Sequence, residues 1–352
     1  MMMNSEFSCN KSDNQSPNGT RTKEALEGMH NHTKGRNVAA LRFVSKMWGR
    51  RVGVGSGKSA PSDNKISSNR TSVDSSSTVR PNKRALLIGV SYKSFKYELK
   101  GTVNDVKSVR RLLLNHFGYN PRDIVILTEV KQGIELAPTK KNIQKYMNWL
   151  LEDCKDGDYL VFFFSGHGLR QPNFTGDELD GFDETICPVD YMNEGMITDN
   201  EIYSTIVEPL PEGVTLHAII DACHSGTVLD LPRVYNRFEK RWEKSNSKDH
   251  TSGGLAISLA ACKDEEVAAD TSAFSGKQMN GALTYILVDT VKNYREITYA
   301  ELLDCMHKFL EDMNQKGCLA KRMLRKAVGG MLLQKPQLSA SRPFNVEQRF
   351  VL

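Results

Sequence analysis

Two short segments leave reactive side chains beside glycine where an apolar run stops. "FFFSGHGL" ends in Ser165 and His167, and "AIIDACHSG" ends in Asp221, Cys223 and His224, with glycine following at 168 and 226. A free thiol is a weak nucleophile because its pKa is about 8.5, and a neighbouring imidazole raises its thiolate fraction. If positions 167 and 223 share a site, Cys223 is the nucleophile and His167 the base of thiol acyl transfer. Imidazole, with an unperturbed pKa of about 6.5, can take the thiol proton and later hand a proton to a leaving amine. The backbone N–H groups of Gly168 and Cys223 are the candidates for holding the oxyanion, a contribution of about 3 to 4 kcal/mol per donor in known sites. His224 competes as base, but it adjoins Cys223 and its side chain is expected to point elsewhere. Alone, each residue has a blander reading: cysteine after an apolar strand is commonly core filler, and histidine at a strand end is commonly structural. Their coincidence at two strand ends is what carries the dyad.

Carboxylates form a second group. Asp105 and Asp221 fall near the same expected cleft, and two anions there would attract a cationic side chain, bidentately if it is arginine. Taken alone, Asp105 also reads as a first-turn residue favoured by the helix dipole. The loop "GDELDGFDET" (176–185) gathers Asp177, Glu178, Asp180, Asp183 and Glu184. Its hard oxygen ligands suit calcium, although the spacing is not that of an EF-hand and a solvated acidic loop is the default. "GVGSGKS" (53–59) imitates a phosphate-binding loop and fails, because Val52 stands where the first glycine is required and Pro61 interrupts any helix. Cys262, also at a strand end, reads as pocket lining or core.

The elements that must carry these residues alternate. "RALLIGVSY" (84–92), "DIVILT" (123–128), "DYLVFFFSGHG" (158–168), "LHAIIDACHSG" (216–226) and "LAISLAAC" (255–262) read as strands buried on both faces. Between them fall helical patterns: one capped by Asn104 and ending at Gly118, one from Thr139 to about Cys154, one beginning near Thr198, and three near 279–292, 298–315 and 319–328. "VEQRFVL" (346–352) reads as a last strand. This alternation predicts an α/β fold with a mostly parallel sheet covered on both faces, and such sheets bind ligands outside the carboxyl ends of their strands.

Composition narrows the function classes. The chain has 352 residues, 39% of them hydrophobic and 25% charged, and no apolar run long enough to cross a bilayer. Met1–Asn10 lacks the apolar core of a signal peptide, so the expectation is a chain neither membrane-spanning nor secreted. The seven cysteines (9, 154, 187, 223, 262, 305, 318) are odd in number and unpaired in spacing, which favours a reducing compartment, cytoplasmic or also nuclear, and makes sequons such as those at Asn18, Asn31, Asn69 and Asn173 incidental. Residues 1–80 hold 13 basic and 6 acidic side chains, a charge of +7, while the remaining 34 basic and 36 acidic residues give −2. A nucleic-acid-binding domain would concentrate positive charge on its folded part, so nucleic acid is not an expected partner. Residues 1–80 read as a flexible basic arm, with eight serines in 59–78, and the stretch through Val38, Leu41, Val44 and Trp48 as a short-lived amphipathic helix.

"RALLIGVSYK…ELKGTVNDV", "FFFSGHG", "DGFDETICPVD" and "DACHSG", in this order, resemble the metacaspase family of caspase-like cysteine proteases, most nearly the plant type I group, from about residue 82 to 352. The resemblance implies a caspase-like fold with His167 as base and Cys223 as nucleophile. It implies a large-subunit-like part (81–230), a linker (231–254) and a small-subunit-like part (255–352). It implies a pocket of Asp105, Ser165 and Asp221 that accepts Arg or Lys before the scissile bond, lined also by Thr102, where relatives usually carry cysteine. Calcium is the implied cofactor, with Asp183, Asp199 and Asp230 at ligand positions and Asn200 where a second aspartate is usual. A monomer is implied, and a zymogen that cuts itself in the 231–254 stretch, where Arg237, Lys240, Arg241, Lys244 and Lys248 offer sites. The paired-cysteine zinc finger of many plant relatives is missing, since residues 1–80 contain only Cys9. Roles in cell death would follow by family analogy alone. The alternative class is a non-proteolytic caspase-like scaffold that recruits partners through its arm.

Overall fold

In the computed structural model of the protein, the described residues are 81–93, 95–129, 136–173, 181–245, 251–261, 270–271, 280–315 and 335–352, all within the unit Ser76–Leu352. The basic arm with its amphipathic stretch and "GVGSGKS", the acidic residues Asp177, Glu178 and Asp180, Lys248, Cys262 and the helix expected at 319–328 lie outside the described residues.

The elements follow as β1 (Lys83–Gly89), α1 (Thr102–His116), β2 (Ile124–Thr128), α2 (Lys140–Leu151), β3 (Tyr159–Ser165), β4 (Gly168–Pro172), β5 (Phe182–Ile186), α3 (Tyr191–Glu194), β6 (Ile197–Thr198), α4 (Asp199–Ile202), β7 (Thr215–Asp221), β8 (Arg233–Asn236), β9 (Arg241–Lys244), β10 (Leu255–Ala260), β11 (Asp270–Thr271), β12 (Asn280–Gly281), α5 (Ala282–Asn293), α6 (Tyr299–Gln315) and β13 (Gln337–Ala340). Eight strands form one sheet in the order β2-β1-β3-β7-β10-β13-β8-β9. Its first five strands are parallel, and antiparallel pairing begins at β13. Among the described residues no helix is long and apolar enough to cross a membrane.

The continuous apolar runs are explained by parity. Leu87, Phe163 and Ile219 point into one core with Val106, Leu113, Leu287 and Leu303 of α1, α5 and α6. Leu86, Phe162, Phe164 and Ile220 point into the other, with Ile143 and Met147 of α2. A strand with helices on both faces must be apolar at every position, so period-2 alternation disappears. Each fully buried side chain of this size contributes about 1.5 to 3 kcal/mol.

Four expectations change. Helix α1 starts at Thr102, with Gly101 at the N-cap and no side-chain cap, and Asn104 sits inside its first turn. The start is pinned instead by a 3.0 Å hydrogen bond between the hydroxyls of Ser91 and Thr102. The stretch 231–254 is more than a polar connection: β8 and β9 form a hairpin at the sheet edge. Trp242 anchors it, packing on Tyr235 and Phe344 with its indole N–H donating to the Phe344 carbonyl at 3.1 Å. The residues 346–352 are not a strand. They are an irregular tail with one antiparallel bridge, Thr298 to Arg349, and its Phe350 packs edge-on against Tyr299, His217 and Phe117. The glycine-flanked turn after β3 leads directly into β4, which pairs with β5 and β6 in a separate small sheet.

Candidate active site

Strand register places the two reactive residues. In the parallel pair β3–β7, Ser165 lies opposite Asp221, so His167 and Cys223 each stand two residues past the last pair, on the same sheet edge. The Gly166 N–H still reaches the Asp221 carbonyl at 3.4 Å. Beyond it the two backbones touch: a Cβ on Gly168 would lie 2.1 Å from the Cys223 carbonyl oxygen. Only glycine permits that approach. Gly168 and Cys223, the pair named for the oxyanion, are therefore in backbone contact. Cys223 and His167 are half-buried, and His224 has left-handed backbone, φ 48°.

The imidazole is held by groups that the sequence did not advertise. Nε2 of His167 is 2.8 Å from the Tyr97 carbonyl. A carbonyl only accepts, so Nε2 carries the hydrogen, and in the neutral ring Nδ1 keeps the lone pair that can take a proton. The ring packs on Tyr92 and Tyr97, with centroids 4.6 and 5.7 Å away. The buried Tyr92 hydroxyl accepts the His167 N–H at 2.9 Å and donates to the Cys187 carbonyl at 2.6 Å, while the Cys187 N–H donates to the His167 carbonyl at 3.0 Å. Glu129 steadies the other side, its carboxylate accepting the N–H groups of Ser91, Tyr92 and Lys93, the last two at 2.9 and 3.0 Å. Burial keeps the Tyr92 phenol well above its ordinary range. Burial, with Cys223 nearby, pushes the Cys187 thiol up to about 12, so Cys187 stays protonated. Tyr92 could have been found by the strand-end logic, since it closes "RALLIGVSY". Tyr97 acts through its carbonyl, and a backbone atom leaves no signature in residue type.

The candidate pocket residues converge. Asp105, Ser165 and Asp221 are all buried. The Ser165 hydroxyl donates to Asp105 Oδ2 at 2.9 Å, and the Gly281 N–H donates to both Asp105 oxygens at 2.9 and 3.1 Å. Asp221 Oδ2 accepts from the Thr284 N–H at 2.8 Å and its hydroxyl at 2.7 Å. Both carboxylates thus face the first turn of α5, where the helix dipole favours negative charge. Gly281 and Thr284 are additional site residues, and nothing in their types pointed to Asp105 and Asp221. Thr102 lies one turn before Asp105 on α1, and its hydroxyl is engaged by Ser91 rather than by the two carboxylates.

A second cluster lies along β5 and its neighbours. Asp183, Asp199 and Asp230 are buried. Asp183 accepts from the side-chain amides of Gln171 (3.2 Å) and Asn173, and Asp199 accepts the N–H groups of Glu184 (2.8 Å) and Asn200 (2.6 Å). Burial, then the charges of Asp230 and Asp183, pushes the Asp199 carboxyl up to about 8. Three buried aspartates, with Asp199 raised by burial and by the charges of the other two, form a donor set whose chemistry fits a hard divalent cation. Among the described residues no three carboxylate, imidazole or thiol groups stand ready-made around one point, so binding would require Asp183 to turn from its amide partners.

A family profile described as metacaspase, peptidase C14 domain, matches residues 83–232. Metacaspase-1 of Arabidopsis thaliana is 43% identical over 282 residues, covering 75% of this chain and 77% of that protein. The chain belongs to the metacaspase family. It is accordingly a cysteine endopeptidase, and the caspase-like α/β reading holds. Arabidopsis metacaspase-2 is 44% identical over 245 residues, 68% of this chain, but the chain spans only 59% of that relative's length. A solved structure of a Geobacter sulfurreducens protein shares the fold with a TM-score of 0.53 at 19% identity, over 77% of this chain and 98% of that one.

Proposed function

We propose that this metacaspase cleaves peptide bonds after Arg or Lys through Cys223 and His167, in a calcium-dependent manner. The observation that carries the dyad is the hold on His167: with Nε2–H tied to the Tyr97 carbonyl, Nδ1 is the nitrogen left for chemistry. In the proposed sequence Nδ1 takes the Cys223 proton, and the thiolate adds to the scissile carbonyl carbon. The oxyanion so formed would be met by the N–H groups of Gly168 and Cys223. The imidazolium, stabilised by the Tyr97 carbonyl, returns its proton to the leaving amine, and a thioester remains. Water then adds with His167 as base, releasing the acid and restoring the thiol.

Preference for a cationic residue is supported by the buried anionic floor, Asp105 and Asp221, to which a guanidinium could present its paired N–H groups. Asp183, Asp199, Asn200 and Asp230 would hold calcium. Bound there, the cation would supply positive charge to a crowded set of carboxylates. The reading further takes the protein as a cytoplasmic monomer that matures by self-cleavage. Of the described basic residues in the hairpin, Arg237 is tied to Asp304 and Glu311, and Arg241 to Glu239 and Glu243. Lys240 is exposed at the turn, with φ 52°.

Arg-, Lys- and Asp-ended fluorogenic peptides, assayed with and without calcium on wild type and Cys223→Ala, test the proposal. Calcium-stimulated cleavage after Arg and Lys, absent in the variant, is expected. Activity surviving in Cys223→Ala, or a preference for Asp, would overturn it. Incubation in millimolar calcium followed by sequencing of new termini tests self-cleavage, and an uncut, fully active chain would remove that part.

A further inference from the structure

The nucleophile and the acidic cluster sit at the two ends of one segment, 221–230. Asp221 floors the pocket, Cys223 follows, and Asp230 belongs to the cluster. Its backbone is unusual at two points, His224 with φ 48° and Asp230 with φ 49°, both in the left-handed region that costs a side-chain-bearing residue about 1 kcal/mol or more. Something must hold such a segment in place. One holder is Glu184, almost fully buried. Its Oε2 accepts from the Thr227 hydroxyl at 2.8 Å, its Oε1 lies 3.0 Å from Nε of Arg170, and its own N–H donates to Asp199 at 2.8 Å. Thr227 in turn closes a tight turn, its carbonyl accepting the Asp230 N–H at 2.6 Å. Glu184 therefore touches the cluster with its backbone and the nucleophile segment with its side chain, next in sequence to Asp183 on β5.

We propose that Glu184 and Thr227 are a positioning pair for Cys223, and that this pair carries cation occupancy of the Asp183–Asp199–Asp230 cluster to the nucleophile. The second half rests on the calcium reading above; the first does not. A cation drawing Asp199 and Asp230 together would shift Glu184 through its N–H bond and Thr227 through the turn. The Glu184–Thr227 bond makes those two movements one. A charge-assisted bond of this kind, with its carboxylate buried and its hydroxyl half-buried, transmits displacement because the packed surroundings leave few alternative positions.

The test uses the full chain. Thr227→Val removes the hydroxyl and preserves shape, Thr227→Ser keeps it, and Glu184→Gln removes the charge. The readouts are the iodoacetamide alkylation rate of Cys223, followed by peptide mass spectrometry with and without calcium chloride, kcat and KM on an Arg-ended peptide, and calcium binding by calorimetry. In Thr227→Val we expect calcium-free alkylation and kcat to fall about tenfold, as for a displacement of a fraction of an ångström, with KM within about threefold. The calcium stimulation of alkylation should be lost while the calcium heat persists, and Thr227→Ser should restore both. Glu184→Gln should behave as Thr227→Val, and remains informative if one variant folds poorly. Wild-type alkylation rates and stimulation in Thr227→Val would overturn the proposal. A wild type with no calcium heat would overturn the calcium reading and the coupling with it, leaving positioning to be judged on calcium-free alkylation and kcat.

Discussion

The backbone contact between Gly168 and Cys223 gives a sharp handle on the chemistry. In Gly168→Ala the new methyl would sit 2.1 Å from the Cys223 carbonyl oxygen, 3.2 Å from its carbonyl carbon and 3.3 Å from the Ala222 methyl. A tolerable contact is at least about 3 Å, so one backbone must move by about 1 Å. The core cannot absorb it, because Ala222 and Ile220, which precede Cys223, are fully buried. Gly168 is held in the β4–β5 ladder, whereas Cys223 lies past the end of β7 outside any strand, so Cys223 takes most of the shift. Misplacement by about 1 Å costs about a hundredfold in rate, equivalent to about 2.7 kcal/mol of barrier. Overpacking adds about 1 to 3 kcal/mol of destabilisation. Alanine keeps its N–H, so the loss cannot be assigned to a missing oxyanion donor. The assay is kcat on an Arg-ended peptide beside the alkylation rate of Cys223 and thermal melting. A variant within threefold of wild type in kcat, with an unchanged melting temperature, would refute the reasoning.

Three further outcomes are expected. Tyr92→Phe removes the hydroxyl that bridges His167 and Cys187, and should lower stability by about 1 to 3 kcal/mol in urea unfolding and kcat about tenfold; unaltered kcat would place the bridge outside catalysis. Gly281→Ala puts a methyl 2.2 Å from Asp221 Oδ2, and should raise KM for Arg-ended peptides about tenfold while Cys223 alkylates at the wild-type rate, so an unchanged KM would dissociate this corner from substrate binding. His217 is bonded to the Tyr299 hydroxyl at 2.6 Å, and burial, then Lys83, lowers its pKa to about 3. Below pH about 6.5 the unfolded chain binds this proton and the folded one does not, so stability present above 6.5 is lost on acidification by about 1.4 kcal/mol per unit towards pH 3; His217→Gln should show a shallower acid slope in urea unfolding, and identical slopes would refute the assignment.

What was legible in the sequence follows from what each feature depends on. Strand positions and the shared edge of His167 and Cys223 depend on apolar runs and where they stop, which are properties of consecutive residues. Asp221 could be named because charge at a strand end is conspicuous, and Asp105 because it stands in the first turn of the helix that follows β1. Their partners, Gly281 and Thr284, could not, since they arrive from a helix more than fifty residues away and act partly through backbone N–H groups. The β8–β9 hairpin was hidden by its surface: Arg233, Arg241 and Lys244 give it the texture of a connection, while Tyr235 and Trp242 supply the apolar face. The tail misled in the opposite sense. Apolar Val346, Phe350, Val351 and Leu352 around polar Glu347, Gln348 and Arg349 imitate a strand, but the tail turns and Phe350 packs its ring on Tyr299 instead.

One electrostatic feature joins the site and its proposed regulation. Asp105, Asp183, Glu184, Asp199, Asp221 and Asp230 are each at most 7% exposed. Glu184 has a cationic partner in the half-buried Arg170, and Asp105 and Asp221 accept from hydroxyl and backbone N–H donors. Such donors offset desolvation only in part, and removing charge from water costs several kcal/mol per ion. The upward displacement of Asp199 is a direct sign of that cost. Under the proposed function, an edge loaded in this way would be stabilised by cations arriving from outside, a basic side chain over Asp105 and Asp221 and a divalent ion at the cluster. Because segment 221–230 belongs to both places, the proposed coupling would let charge neutralised at one end change the restraint on the thiol between them. Binding energy that would otherwise only tighten a complex can in this way be spent on placing the nucleophile.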